Sequence, residues 1–529
     1  MLPLAARRRS PRLRLTLLAL GLGIVSLAVA REGGAACLPA ALPATSATWT
    51  TLGNGTPGSV TPASLQAAVT AGGFVRFDLG AAPVTLTLTA ELQVTRAVTI
   101  DGGGRVTLSG GGTTRLMRIT NPQNATFTVT LQHLTLADGA APAGDGAAID
   151  KATGGPWQAV SLTLVDCIVR DNTAIASAQD GGGGGIYATG MDVVRIHGCR
   201  FENNRGSNGG AIYSLGSRRL HVTDSLFLAN RATGSGGNPG NGGNGGAIGV
   251  DGASREVEMC GVRFYGNQGN AYGAAFFSVA YDTASPTDFR FCTFDSNFNP
   301  TAQGFAGAVY LQGGPFSLRQ SVFRDNEANG VGALFLGPGA SGTVENCTFT
   351  GNVARQSLAG AISIGTTAPV TIASSTIAGN SAPGEVAFAA GIRVDAGNDL
   401  TLRDTLLVGN TGGNVWNPWN ILNPAAHDGG GNLQWPRFRP NGQEEVRATP
   451  TALWADPQLG APWGHGGPTE TMALAPASPA RGAAAGTLAE DQRGAARAAP
   501  FDSGACESAP LFFDGFEWGG VAAWGPALP

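Results

Sequence analysis

Apolar positions along the middle of this chain fall into columns. Nine asparagines, Asn172, Asn204, Asn230, Asn267, Asn297, Asn326, Asn352, Asn380 and Asn410, recur at intervals of about 30 residues. Three residues before each stands an apolar side chain: Val169, Phe201, Phe227, Phe264, Phe294, Phe323, Phe349, Ile377 and Leu407. Five before, the side chain is small (Cys167, Cys199, Ser225, Val262, Cys292, Ser321, Cys347, Ser375, Thr405), and eight before it is apolar again, from Leu164 to Leu402. A turn residue stands six before in most copies: Asp166, Gly198, Asp224, Gly261, Asn346, Ser374 and Asp404. Short runs of period two broken by Gly and Asn predict strands. A further strand opens after small residues, as in Gly210-Ala211-Ile212, Gly246-Ala247-Ile248 and Gly332-Ala333-Leu334. Three strands per coil predict an all-β parallel β-helix of about 10–12 coils, with like side chains stacked at about 4.8 Å.

Asn tolerates the left-handed conformation, and its amide can bond its counterpart one coil away, so the Asn column reads as structural. Thr61-Pro62 through Gly72 predicts a short N-capped helix that covers the first coil. The expected layout is a leader at 1–30, an N-terminal cap and first strands at 37–95, the β-helix at 96–425, a C-terminal module at 426–510 and a tail motif at 511–529. Alternation turns Ile212, Phe276, Val309 and Leu334 inward, which sends Tyr213, Phe277, Tyr310 and Phe335 outward, with Tyr187 joining from an earlier coil. Two readings stand for these rings. They form a stripe that binds sugar or protein, or a ladder that stabilises the sheet beneath loops.

Glycine and proline are frequent (81 and 31 of 529 residues), yet 43% hydrophobic residues in periodic positions argue for a buried core over disorder. A net charge of -4 without long runs of one sign makes no case for nucleic acid or an anionic membrane. Arginines at 7–14, the apolar run 15–30 and Ala28-Val29-Ala30 read as an export signal, which places the protein in a secreted or cell-surface setting. No later stretch is long and apolar enough to span a bilayer as a helix, and a monomer is expected. A lipoprotein route through Cys37 is the alternative export reading. Four of seven cysteines share one column; Cys167 and Cys199 on successive coils form either a disulfide or part of a column of free thiols. No CxxC motif or His pair suggests a metal, so no metal site and no cofactor are expected.

The FxxN copies from Phe201 to Asn352, with Gly209 to Ile212 and Gly245 to Ile248 between them, resemble polymorphic outer membrane protein repeats. That resemblance implies a right-handed surface β-helix concerned with adhesion; its usual autotransporter barrel is not expected from the residues after Asn410, which lack ten-residue alternating strands. Residues 455–507 resemble a choice-of-anchor Q module through Asp456-Pro457-Gln458-Leu459, Gly466-Gly467-Pro468-Thr469, Ser478-Pro479-Ala480, Asp491-Gln492-Arg493-Gly494 and Gly504-Ala505-Cys506-Glu507. The expected function is binding of a polysaccharide or cell-surface protein without catalysis.

The rival is a lyase or glycoside hydrolase acting on acidic polysaccharide. A hydrolase needs paired carboxyl groups, and the chain has no Asp-Asp pair; Gly464-His465-Gly466 matches a polygalacturonase tripeptide but lies beyond the repeats. A lyase would need acids holding Ca²⁺ and a basic Arg. Asp295 and Asp325, near Arg290, Arg319 and Arg324, are the candidates, or else solvated charges beside turns. Gly144-Asp145-Gly146 and the Gly-Asn loop at 234–246 are faint Ca²⁺-turn lookalikes.

Overall fold

The computed structural model describes residues 37, 48–151, 157–237, 239–486 and 488–508; the expected leader and the tail motif lie outside the described residues. The chain winds into a parallel β-solenoid of about 14 turns and, among the described residues, has one α-helix, Pro62–Ala71. Strands before and after the Asn repeats also stack, from Trp49–Gly53 to Leu453–Trp454, hence more turns than the repeat alone suggests. Two strands of each coil share a 26-stranded sheet and the third builds an 11-stranded sheet. A two-residue stretch after the Asn, such as Arg231–Ala232, makes small ladders of its own. Among the described residues no helix is long and apolar enough to cross a membrane.

The columns stack as expected. Phe201, Phe227, Phe264, Phe294, Phe323 and Phe349 are register partners on successive coils, buried, with neighbouring ring centroids 4.5–5.1 Å apart. The Asn ladder is continuous. Asn204 Nδ2 donates to Asn230 Oδ1 at 2.9 Å and to the Val169 carbonyl at 2.8 Å, and Asn204 N–H donates to the same Asn230 Oδ1. This pattern repeats to Asn380, satisfying otherwise unpaired backbone groups in the interior. One expectation is corrected: the left-handed residue is the one before each Asn, as at Asp171 (φ 58°), Ala229 (φ 53°) and Asp325 (φ 53°), because the Asn side chain must point inward.

Thr61 caps the helix in a reciprocal pair with Ser64, and Gly72 closes it. Cys167 and Cys199 are free and buried; the Cys199 thiol, pushed up by burial, belongs to a packed column. The disulfide instead joins Cys37 to Cys260, 223 residues apart. This corrects the lipoprotein reading, since that thiol is already bonded.

Beyond Trp454 the chain stops adding coils. Residues 456–508, which include the antiparallel pair Leu459–Trp463 and Thr471–Leu474, run back along the flank of the large sheet. Gln320 Nε2 donates to Glu490 Oε2 and the Asp491 carbonyl, Thr348 Oγ1 to Gln492 Oε1 at 2.6 Å, and Asp404 accepts from the N–H groups of Ala485 and Gly486. The turn column explains the docking place: Phe291 (φ 53°) and Gln320 (φ 52°) occupy left-handed positions where other coils use small or turn-forming residues. Both are buried beneath this segment, with Gly494 lying against the Phe291 ring.

Candidate functional site: an aromatic-rimmed groove

The lyase candidates do not assemble into an open site. Asp295 and Arg324 are register partners and ion-paired, and Arg324 also pairs with Glu470 of the docked segment. Burial alone would lower the Arg324 pKa; the Asp295 and Glu470 carboxylates more than offset it and hold the guanidinium charged. Asp325 lies beside Arg324 at 3.7 Å, and its pKa is raised by partial burial. The other two arginines turn elsewhere: Arg290 to Glu490 at 3.1 Å and Arg319 to Asp288 at 2.8 Å. His465 belongs to the docked segment, its pKa lowered by burial and by Arg493. Asp145 accepts Gly182 N–H at 2.7 Å, while Ser235 and Gly237 bridge Asn241 and Gly242, so both Ca²⁺-turn lookalikes are held by internal hydrogen bonds.

The outward ring stripe needs correction as an exposed surface. Tyr187, Tyr213, Phe277, Tyr310 and Phe335 do leave the solenoid interior, yet all are 1–8% exposed. Tyr187 stacks on Tyr213, Tyr272 covers Tyr310 with centroids 4.9 Å apart, and Phe305 meets Phe335 edge-on at 4.7 Å. Loops that follow Asn267 and Asn297 supply these covers. Burial of each ring stabilises the fold by about 1.5–3 kcal/mol, which is why the loops fold back over the ladder.

Where the 11-stranded sheet turns into the large sheet, a groove of about 420 Å³ stays open, within the rough 300–1,000 Å³ span of small-molecule clefts. Trp157 and Tyr281 stand at its rim, 63% and 66% exposed. Leu215-Gly216 and Asp251-Gly252-Ala253 line it from two successive coils, and Gln158, Gln179 and Asp180 complete it. The indole lies against two left-handed turns: a Cβ at Gly190 would come within 2.7 Å of the ring and one at Gly216 within 2.3 Å. Glycine at both positions therefore seats the platform.

Charge is organised beneath the groove. Tyr187 Oη donates to the Asp180 carbonyl at 2.8 Å, so the ladder supports the loop that carries Asp180. Burial pushes the Tyr213 hydroxyl well up, and the nearby Asp251 and Asp180 carboxylates push it further. Arg255 is buried, donates to Ser278 Oγ at 2.5 Å and is pushed down to about 10 by burial, against the pull of Asp251. Asp251 is thus buried near a buried cation while Asp180 stays exposed. A polar cluster lies a few coils earlier on the same sheet: Asp150, in register with both Arg118 and Tyr187, is pushed up to about 6 by burial despite Arg118 at 3.4 Å and Arg115 at 3.8 Å.

Column reasoning passed over Trp157 and Tyr281 because neither occupies a repeated position. Their signal was an aromatic residue at a turn, Trp157 lying against the Gly190 and Gly216 turns.

No protein-family model matches the chain, and no curated protein matches it in sequence. Among solved structures it is similar to the A-module of the Azotobacter vinelandii mannuronan C-5 epimerase AlgE4 (14% identity, 72% of this chain and 99% of that chain, TM-score 0.27). It is also similar to PfbA, a surface adhesin of Streptococcus pneumoniae (12% identity, 71% of this chain and 93% of that chain, TM-score 0.30). Neither likeness is close enough to carry a functional argument; what the chain's own geometry establishes is a parallel β-solenoid with an open, aromatic-rimmed groove.

Proposed function

We propose that this chain is an exported surface or secreted β-solenoid that binds glycan through the Trp157–Tyr281 groove and performs no catalysis. The observation that carries this reading is the pairing of two exposed rings with hydrogen-bonding side chains in one open cleft. Sugar rings present apolar C–H faces that stack on aromatic platforms, while their hydroxyls need acceptors and donors of the kind Asp180, Gln158 and Gln179 offer. With two carboxylates in its wall, the groove suits neutral sugars better than uronates. The Cys37–Cys260 disulfide supports an oxidising, extracytoplasmic setting. We read the repeats as polymorphic outer membrane protein-like and residues 456–508 as a choice-of-anchor Q-like terminal module, in which the quoted motifs serve docking.

The test is calorimetric titration of the full chain with neutral oligosaccharides chosen from a glycan array, alongside Trp157→Ala and Tyr281→Ala. Binding weakened about tenfold in each variant, with nearly unchanged melting, is the expected result. Binding undiminished by both substitutions rejects the groove. Turnover of pectin, alginate or chondroitin abolished by Asp295→Ala would replace this reading with the catalytic one.

A further inference from the structure

On the outer face of the large sheet, the two coils that line the groove bring three metal-ligating side chains together. Strand Arg219–Thr223 pairs with strand Glu256–Cys260, with Arg219 opposite Glu256 and His221 opposite Glu258. Alternation buries Leu220, Val222, Val257 and Met259, so His221, Glu256 and Glu258 stand together on the outside. One ligand atom from each lies within 4.8 Å of the other two. His221 Nε2 is 3.3 Å from Glu256 Oε1 and 3.9 Å from Glu258 Oε2.

We propose that His221, Glu256 and Glu258 form a binding site for a Zn²⁺-class divalent cation. Ligands about 2.0–2.2 Å from a tetrahedral ion stand about 3.3–3.6 Å from one another, and Nε2 already lies 3.3 and 3.9 Å from the two carboxylates, so a small closing movement would complete the site. The imidazole supplies an independent observation: Nε2 is shut off from solvent and makes no hydrogen bond, although it faces two carboxylates. An ion between them would satisfy that nitrogen. Arg219 Nε lies 3.3 Å from Glu256 Oε2, which leaves Oε1 turned to the histidine and orients the ligand from behind. In the flanking coils, the exposed Arg195 is opposite His221 and Asp288 is opposite Glu258, but Asp288 is held by Arg319. One imidazole with two carboxylates suits Zn²⁺, Co²⁺ or Mn²⁺, whereas Ca²⁺ takes oxygen ligands. Water would fill the remaining position. The bound ion would clamp two coils immediately after Gly216 and Gly252, the turns that line the groove.

The full chain is stripped with chelator and titrated with ZnCl₂ by calorimetry and with CoCl₂ by visible absorption. One saturable equivalent is expected, with Co²⁺ bands of a nitrogen-and-oxygen site and a raised melting temperature. His221→Ala and Glu258→Gln should each abolish the saturable equivalent and the melting shift, and His427→Ala should retain both. The wild-type chain failing to saturate, or binding undiminished in both His221→Ala and Glu258→Gln, overturns the proposal. Should one variant fail to fold by circular dichroism, the other decides.

Discussion

The flank under residues 456–508 and the corner between Trp157 and Tyr281 are built from the same kind of coil, the corner on earlier turns and the flank on later ones, but they use charge in opposite ways. On the flank, Arg290, Arg324 and Asp404 all find partners in the returning segment. At the corner, two carboxylates sit among rings, amides and turn backbone, and the groove between them stays open. The flank therefore uses its polar groups to dock a segment of the same chain, whereas at the corner Asp180, Gln158 and Gln179 line an open cleft.

The largest effect should come from unlocking the flank. Asp491 and Arg493 form a buried pair, and the Asp491 carboxylate also accepts the backbone N–H groups of Arg493, Ala495 and Glu507. Asp491→Ala should destabilise the docked segment by about 3–5 kcal/mol, seen as early proteolysis within 456–508, while glycan binding at the corner persists. Loss of both together would mean the two regions are one unit.

Next is the cluster near the corner. With Asp150 raised from 3.8 to about 6, the folded chain holds that proton more tightly than the unfolded one. The contribution is therefore destabilising above about pH 6, fades as pH falls, and is gone below 3.8, a swing on the order of 3 kcal/mol. Urea melts from pH 7 to 4 should show this component, and Asp150→Asn should remove it. A variant as pH-dependent as the parent would place the titration elsewhere.

Trp157→Ala should weaken glycan binding about tenfold, near 1.4 kcal/mol, with stability changed by less than about 0.5 kcal/mol because the indole is mostly exposed. Smallest of all, Glu470→Gln breaks a pair whose partners are about one-third exposed, so screening limits the stability loss to about 0–1 kcal/mol. A larger loss would show that Arg324 anchors the flank on its own.

The repeating architecture was legible because stacking forces the same side chain into the same place on coil after coil; Phe227, Phe264 and Phe294 announce one another. Features that occur once have no such echo. Trp157 and Tyr281 belong to no column, and the fate of the outward rings depended on loops whose path no periodicity specifies. Two irregularities did carry information: Phe291 and Gln320 break the turn column where the C-terminal segment docks, and Cys260 lies seven residues before Asn267, outside the buried thiol column, where it meets Cys37. Around Asp295 and Asp325 the sequence left two readings open, because neighbours in a ladder come close whatever their role; the partners each charge takes, Arg324 with Asp295 and Glu470, Arg290 with Glu490, needed the structure.

The covalent link between Cys37 and Cys260 has a mechanical corollary. A tug on the amino end would be delivered to the middle of the rod, at Cys260, and every coil ahead of that point would be bypassed by the load. Peeling from the first coil, the easiest way to unravel such a stack under tension, is closed off until the sulfur bridge is reduced.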